Sequence, residues 1–213
     1  MNPRKLMRRM TKNAARHHRA ASIPVLFVLL GSCTTNTEDN DTTNAFIRVV
    51  SMEGSSPDFG GAGAAGTDLF SDVCFADEDH PPCSYFNDNG LVTMVGFPKD
   101  QTQPAGLVTD VVFERYRVTY VRADGRNVPG IDVPYPFDGA ANFTVPLDNS
   151  EIERAFMVVR QSAKTESPLR EMALTANILS VIAQVDFFGR DTAGRSISVR
   201  GFLNITFADF GNE

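Results

Sequence analysis

Apolar and polar residues alternate with a period of two through the last part of the chain. Apolar side chains occupy every second position in residues 179–187 and again in residues 197–207. Alternate residues of a strand share one face, whereas a helix would bring together residues three and four apart. Residues 189–194, between the two runs, are rich in turn formers. The pattern predicts a long antiparallel hairpin with one buried face.

Three earlier segments also have strand character. Residues 46–50 begin the pattern, and residues 91–97 form a second apolar run that stops at Pro98. Residues 111–122 are rich in Val, Tyr, Thr and Phe and end at a turn signal in residues 123–126. Each of these segments is predicted to be a strand.

Residues 151–161 are ambiguous. Asn149 and Ser150 could cap a helix there, whereas the apolar residues 155–159 fit a buried strand equally well. No other segment predicts a helix. The number and spacing of the strands predict an all-β fold, a single antiparallel β-sandwich of the immunoglobulin-like kind with about seven to nine strands. A lipocalin-like barrel is the alternative.

Residues 1–32 differ from the rest of the chain in charge. They carry seven Lys and Arg residues and no acidic residue. An apolar run at residues 23–30 follows the basic part and is too short to span a bilayer, which needs roughly 20 residues. Small residues then precede a cysteine, Cys33. This order is typical of an export signal.

The sequence Leu30-Gly31-Ser32-Cys33 resembles the lipobox of bacterial lipoprotein precursors. The resemblance implies lipidation of Cys33, cleavage after Ser32 and attachment of the mature chain to a membrane. A mitochondrial transit peptide and an ordinary secretory signal are the alternatives. Residues 34–44 contain no hydrophobic residue, which predicts a disordered tether. Thr34, rather than Asp, follows Cys33, and in the resembling lipoproteins this implies sorting to the outer membrane.

These segments divide the chain into a signal peptide (residues 1–32), a lipidated cysteine with its tether (residues 33–44) and one β-sandwich domain (residues 45–213). Cys74 and Cys83 remain after lipidation of Cys33. Two cysteines one loop apart in an exported chain predict a disulfide. A redox or metal pair is the alternative, but the spacing Cys-x-x-Cys is missing.

Acidic residues gather around the two cysteines. We interpret them as a solvated acidic loop, with a Ca²⁺ site as the alternative, since Ca²⁺ binds six to eight oxygen ligands. The residues are Asp72, Asp77, Glu78, Asp79 and Asp88.

Composition narrows the class of protein. The chain has 213 residues, of which 42% are hydrophobic and 22% are charged, as in an ordinary folded domain. Collagen, a disordered acidic tail and a multi-span membrane protein are excluded. Removal of residues 1–32 leaves 13 Lys and Arg against 26 Asp and Glu. That acidic balance argues against binding of nucleic acid.

Residues with catalytic potential are scarce. After cleavage His80 is the one remaining histidine, and no Gly-x-Ser-x-Gly elbow presents a serine nucleophile. No glycine-rich phosphate-binding motif follows a strand. The sequence therefore predicts no catalytic, cofactor-binding or metal-binding residue.

Arginines and tyrosines recur in residues 115–135. The arginines could form a row facing a ligand, but pairing with acids on the solvent face is the favoured interpretation. The tyrosines could stack on a sugar, but burial in the core is favoured. The arginines are Arg115, Arg117, Arg122 and Arg126, and the tyrosines are Tyr116, Tyr120 and Tyr135.

Residues 115–134, 188–195 and 207–210 together resemble uncharacterised bacterial surface or periplasmic lipoproteins with a single β-sandwich domain. The resemblance implies no catalytic residue. The expected function is that of a lipid-anchored, non-enzymatic binding or assembly module in the bacterial cell envelope. Its partner would be an envelope protein or a polysaccharide. The alternatives are a carboxylate-dependent hydrolase of the envelope and a purely structural accessory subunit.

Overall fold

The structure is a computed structural model, and its contacts divide the chain into Met1–Thr35 and Asn36–Glu213. The described residues all belong to the second unit. They are residues 43–57, 66–73, 86–100, 102, 110–173 and 175–210. In these ranges no helix is both long and apolar enough to cross a membrane. The predictions for Cys33, Cys74 and Cys83 fall outside these residues.

Strands dominate the described chain, which confirms the all-β prediction. The eight strands are β1 (Ala45–Ser55), β2 (Asp68–Asp72), β3 (Asp88–Pro98), β4 (Val111–Val121), β5 (Phe137–Val145), β6 (Glu151–Val159), β7 (Leu179–Asp191) and β8 (Ser196–Ala208). Two helices of four residues each, α1 (Gln161–Lys164) and α2 (Leu169–Met172), lie between β6 and β7. Neither helix was predicted.

The strands form two sheets in the orders β1-β3-β6 and β2-β8-β7-β4-β5. The five-stranded sheet is curled into a half-barrel. Both sheets contribute buried side chains to one hydrophobic core. All strand pairs are antiparallel except one, because β2 pairs parallel to β8. The prediction of a wholly antiparallel sandwich is therefore wrong at this edge, where a long connection allows the parallel arrangement.

The hairpin of β7 and β8 confirms the predicted alternation. Its register runs from Leu179 opposite Phe207 to Arg190 opposite Ser196. β7 extends to Asp191, so the turn is shorter than the predicted one at residues 189–194. The buried face consists of Leu179, Val181, Ala183, Val185, Phe187, Ile197, Val199, Gly201, Leu203, Ile205 and Phe207.

The ambiguous segment is a strand, β6, which forms one edge of the three-stranded sheet. A bulge interrupts its pairing with β3, and Val158 has no paired residue there. Tyr120 of β4 donates a 2.8 Å hydrogen bond to the carbonyl oxygen of Val158. The backbone N–H of Met157 donates to the hydroxyl of Tyr116, also of β4, at 3.2 Å. Two tyrosines of one sheet thus bind the backbone of the other.

Tyr116 and Tyr120 are buried, which confirms their placement in the core, whereas Tyr135 is 49% exposed. Pro134 and Pro136 lie just before β5, an edge strand of the five-stranded sheet. Proline donates no hydrogen bond to a strand ladder, which fits a segment that leads into an edge strand.

The end of the predicted tether contacts the domain. Thr43 is 2% exposed and its hydroxyl donates to the carbonyl oxygen of Ala45 at 3.0 Å. The carbonyl oxygen of Asn44 accepts a 2.7 Å hydrogen bond from the N–H of Lys99. Thr43 and Asn44 are therefore held against the domain, although the predicted boundary lies at Ala45.

Candidate functional site

A β-bulge in β4 interrupts the outer face of the five-stranded sheet. Phe113 pairs with Gly189 of β7 and Arg115 pairs with Phe188, so Glu114 is an extra residue between them. Because of this bulge, Glu114 and Arg115 are both exposed although they are neighbours in sequence. A Cβ atom on Gly189 would collide with the backbone of β4, so this position needs glycine.

A depression with a volume of about 330 Å³ lies beside the bulge. The three strands β4, β7 and β8 form its walls. Arg190 stands directly opposite Ser196, and Phe188 stands opposite Ser198. We call this site the outer-face depression, and its lining side chains are Glu114, Arg115, Phe188, Arg190, Ser196 and Ser198, with Gly189 and Ile197 contributing between them.

Arg115 is held over an aromatic ring in this depression. Its Cζ atom lies 3.9 Å from the ring centroid of Phe188. Its Nη1 atom lies 3.6 Å from Oδ1 of Asp138 on β5, and both side chains are about half exposed. A cation over an aromatic ring is stabilised by about 0.5–1 kcal/mol at an exposed site. The stacking therefore orients the guanidinium group and leaves N–H groups on its edge for an anion.

Arg190 is exposed, and within the described residues its guanidinium group forms no ion pair or hydrogen bond, although its backbone pairs with Val112 and Ser196. The hydroxyl groups of Ser196 and Ser198 also have no hydrogen-bond partner in that part of the chain. Glu114 supplies the one carboxylate among the described residues that line the depression. Two guanidinium groups, two hydroxyls and a carboxylate can together bind a ligand that carries both an anionic group and hydroxyl donors.

A row of alternating charges crosses the same face of the sheet. Asp138, Arg117, Asp186 and Arg200 occupy successive paired positions on β5, β4, β7 and β8. Arg117 lies 3.1 Å from Asp138, and Arg200 donates to both oxygens of Asp186 at 2.6 and 3.1 Å. Opposite charges directly across strands stabilise a sheet modestly. The row therefore orders the surface next to the depression.

Two roles were expected for the four arginines of residues 115–126, which are a row facing a ligand and pairing with acids on the solvent face. Arg115 and Arg117 both lie near Asp138 of the neighbouring strand, which confirms cross-strand pairing for these two. Arg122 and Arg126 instead pair with Asp124 within the turn, at 2.6 and 2.8 Å. Arg126 and Arg122 lower the pKa of Asp124 to about 2, chiefly through the side-chain hydrogen bond from Arg126.

Of the sequence candidates, Arg115 alone lines the depression among the described residues. The sequence nevertheless contained a signal for the bulge. Buried positions in β4 fall at 111 and 113 and then at 116, 118 and 120. The alternation therefore shifts by one residue at Glu114 and Arg115, as it does when an extra residue enters a strand. No shift in the sequence pattern marked Arg190, Ser196 and Ser198.

A second polar group lies inside the fold, and we call it the buried cluster. The Nζ atom of Lys164 lies 3.3 and 3.2 Å from the two carboxylate oxygens of Asp88, and both side chains are fully buried. The hydroxyls of Ser56 and Ser71 each donate a 2.6 Å hydrogen bond to one oxygen of Asp88. Burial raises the pKa of Asp88, while Lys164 and the two hydroxyls act in the opposite direction.

The buried cluster connects parts of the chain that are far apart in sequence. Asn87, just before β3, accepts a 2.7 Å hydrogen bond from the backbone N–H of Gln161 at the start of α1. This contact holds α1 against the start of β3, so that Lys164 reaches Asp88. Buried ion pairs contribute little net stability, but loss of one partner leaves an uncompensated charge. We assign the cluster a structural role.

The structure corrects the interpretation of the acidic loop at two positions. Asp88 is fully buried, and Asp72 is 9% exposed and accepts a hydrogen bond from the backbone N–H of Phe210 at 3.2 Å. Neither is part of a solvated loop, because each is held by contacts in the fold. Within the described residues, no three His, Cys, Asp or Glu side chains converge as metal ligands. Asp77, Glu78, Asp79 and His80 lie outside those residues.

Comparison with protein-family models finds no match, and no curated protein sequence is significantly similar to the chain.

Proposed function

We propose that this chain is a lipid-anchored protein of the bacterial cell envelope whose β-domain is a non-catalytic binding or assembly module. The outer-face depression is the observation that carries the binding role. Arg190, Ser196 and Ser198 present donors there on two paired strands, without partners in the described part of the chain. Rigid strands hold such groups more accurately than loops do.

The attachment to a membrane rests on the N-terminal sequence. A basic, acid-free region, a short apolar run and Leu30-Gly31-Ser32-Cys33 occur in the order of a bacterial lipoprotein precursor. Cys33 is the residue proposed to carry the lipid, and the outer membrane is the proposed destination. The polar residues 34–42 would then separate the domain from the bilayer.

The proposed function includes a fold and a family type for the domain. We assign the domain to a β-sandwich of the uncharacterised bacterial lipoprotein type that its sequence resembles. Two sheets around one core support a sandwich. The parallel pairing of β2 and β8 is a departure from an immunoglobulin-like arrangement. We also propose the disulfide between Cys74 and Cys83, which would close a polar loop.

Membrane attachment can be tested with the full chain in a bacterium that has two membranes. We expect the wild-type protein in the outer-membrane fraction, with a mature N-terminus at a lipid-modified Cys33 in mass spectrometry. The variant Cys33→Ala should lose the lipid and remain an uncleaved precursor. An unmodified N-terminus at another residue, unaffected by Cys33→Ala, would refute the anchor.

The binding role can be tested by crosslinking in those cells. We expect wild-type protein to capture envelope material that the variant Arg190→Ala captures less well. Arg154→Ala, an exposed arginine on β6 of the other sheet, is the matched control. Equal capture by all three proteins would argue against a binding role for the depression. Release of reducing sugar ends by purified protein would instead support the hydrolase alternative.

A further inference from the structure

We propose that the outer-face depression binds a carboxylated sugar, such as a uronic acid unit of an acidic polysaccharide. This inference rests on the proposed binding function and names the class of its ligand. The charge of the lining, its hydroxyl groups and its size all fit such a ligand.

The charge of the lining suits one carboxylate. Arg115 and Arg190 supply two positive charges and Glu114 supplies one negative charge, while Asp138 beside the depression lies 3.6 Å from Arg115, which leaves Arg190 as the cation for the carboxylate. A guanidinium group presents paired donors that match the two oxygens of a carboxylate. Arg190 has no competing ion pair within the described residues, and stacking on Phe188 orients Arg115. A phosphate dianion would be repelled more strongly by Glu114 than a carboxylate monoanion.

Glu114 and the two serines define what else the ligand must carry. A carboxylate accepts hydrogen bonds and donates none, so Glu114 favours a ligand that offers it a donor. Ser196 and Ser198 face the same side of β8 and can both donate and accept. A sugar ring offers hydroxyl groups that meet both needs. An anion without hydroxyl groups would offer Glu114 no donor.

Size and position also fit a sugar unit. The volume of about 330 Å³ is at the small end of the range for ligand pockets, roughly 300–1,000 Å³. Alternate residues such as Ser196 and Ser198 are about 7 Å apart along a strand, a spacing comparable to the width of one sugar ring. Because the depression opens on the outer face of the sheet, neighbouring units of a polymer could extend into solvent.

The test is calorimetric titration of the mature, detergent-extracted protein with a galacturonic acid trimer. The methyl ester of the same trimer is the neutral control, and inorganic phosphate is the competing anion. We expect the trimer to bind, and the ester and phosphate to bind at least about tenfold more weakly. Arg190→Ala should weaken binding of the trimer about tenfold, whereas Arg154→Ala should leave it unchanged.

Three results would overturn the proposal. Equal binding of the trimer and its ester would show that no carboxylate is recognised, and tighter binding of phosphate would identify a simple anion site. Absence of trimer binding, when Arg190→Ala still reduces crosslinking to envelope material, would refute the ligand class and leave the binding function intact. Equal thermal unfolding of Arg190→Ala, Arg154→Ala and wild-type protein confirms that both variants are folded.

Discussion

The hydroxyl group of Tyr120 on β4 donates a 2.8 Å hydrogen bond to the carbonyl oxygen of Val158 in the opposite sheet. Val158 is the bulged residue of β6 and has no paired residue in β3. Buried backbone carbonyls in folded proteins are almost always hydrogen-bonded. Tyr120 therefore provides at the bulge a partner that strand pairing does not.

Removal of this hydroxyl should destabilise the domain. We expect Tyr120→Phe to lower the free energy of unfolding by about 1–2 kcal/mol, because the buried carbonyl of Val158 loses its donor. Chemical denaturation measures the change. Tyr135→Phe removes a hydroxyl from a half-exposed ring and should change stability little. Equal stability of Tyr120→Phe and wild-type protein would contradict the role of the bond.

Single substitutions in the buried cluster should be more damaging. Lys164→Met leaves the buried carboxylate of Asp88 without the ammonium group beside it, and Asp88→Asn removes the carboxylate that Lys164 contacts; we expect each to cost about 3–5 kcal/mol. The double variant Asp88→Asn/Lys164→Met removes both charges and should cost less than the sum of the two. Chemical denaturation of wild-type protein, the two single variants and the double variant gives the coupling free energy between Asp88 and Lys164. Additive losses would show that Asp88 and Lys164 do not interact.

Removal of Lys164 should also make the free energy of unfolding depend more steeply on pH. Burial raises the pKa of Asp88, and Lys164 opposes this effect. A carboxyl group with a higher pKa in the folded state binds its proton more tightly than in the unfolded chain. The free energy of unfolding then falls as the pH rises above the unfolded value near 4.

We therefore expect Lys164→Met to lose stability between about pH 4 and pH 7 more steeply than wild-type protein. Asp88→Asn/Lys164→Met lacks the titrating carboxyl group and should not show the additional slope. Urea denaturation across this pH range measures both. The same slope in the single and double variants would exclude Asp88 as the cause.

Two glycines with similar backbone conformations provide a test of side-chain contact. Gly130 has φ +77° and Gly125 has φ +82°. A Cβ atom on Gly130 would collide with the ring of Tyr135, whereas nothing lies within 4 Å of a Cβ atom on Gly125. Replacement of either by alanine costs about 1–2 kcal/mol for the left-handed conformation.

Because of that collision, Gly130→Ala should lower the melting temperature more than Gly125→Ala. The double variant Gly130→Ala/Tyr135→Ala removes the ring and should restore part of the difference. Thermal unfolding followed by circular dichroism measures all three. Equal melting temperatures of the two single variants would indicate that the ring of Tyr135 does not restrict position 130.

Much of the five-stranded sheet could be predicted because two of its central strands, β7 and β8, alternate strictly. In β7 and β8 every second side chain is buried, so the sequence pattern and the structure agree over most of both strands. In β6 the pattern failed because Val158 and Val159 are both buried at the bulge. Consecutive buried residues look alike in a strand and in a helix.

Other features depend on contacts that a local pattern does not contain. β2 is five residues long and is held by parallel pairing with β8. Asp88 and Lys164 are separated by 76 residues, and their type alone suggests exposed positions. The outer-face depression could be predicted only in part, since the shift at Glu114 was visible but its neighbours on β7 and β8 were not.

The pairing of β2 with β8 has a consequence for how the chain folds. Asp68 of β2 and Asn204 of β8 are hydrogen-bonded although 136 residues separate them. Contacts between such distant residues slow folding, because the ends of a long loop must first meet. The edge of the sheet cannot close until β8, the last of the described strands, is in place. Until then β2 remains an unpaired segment, exposed to aggregation.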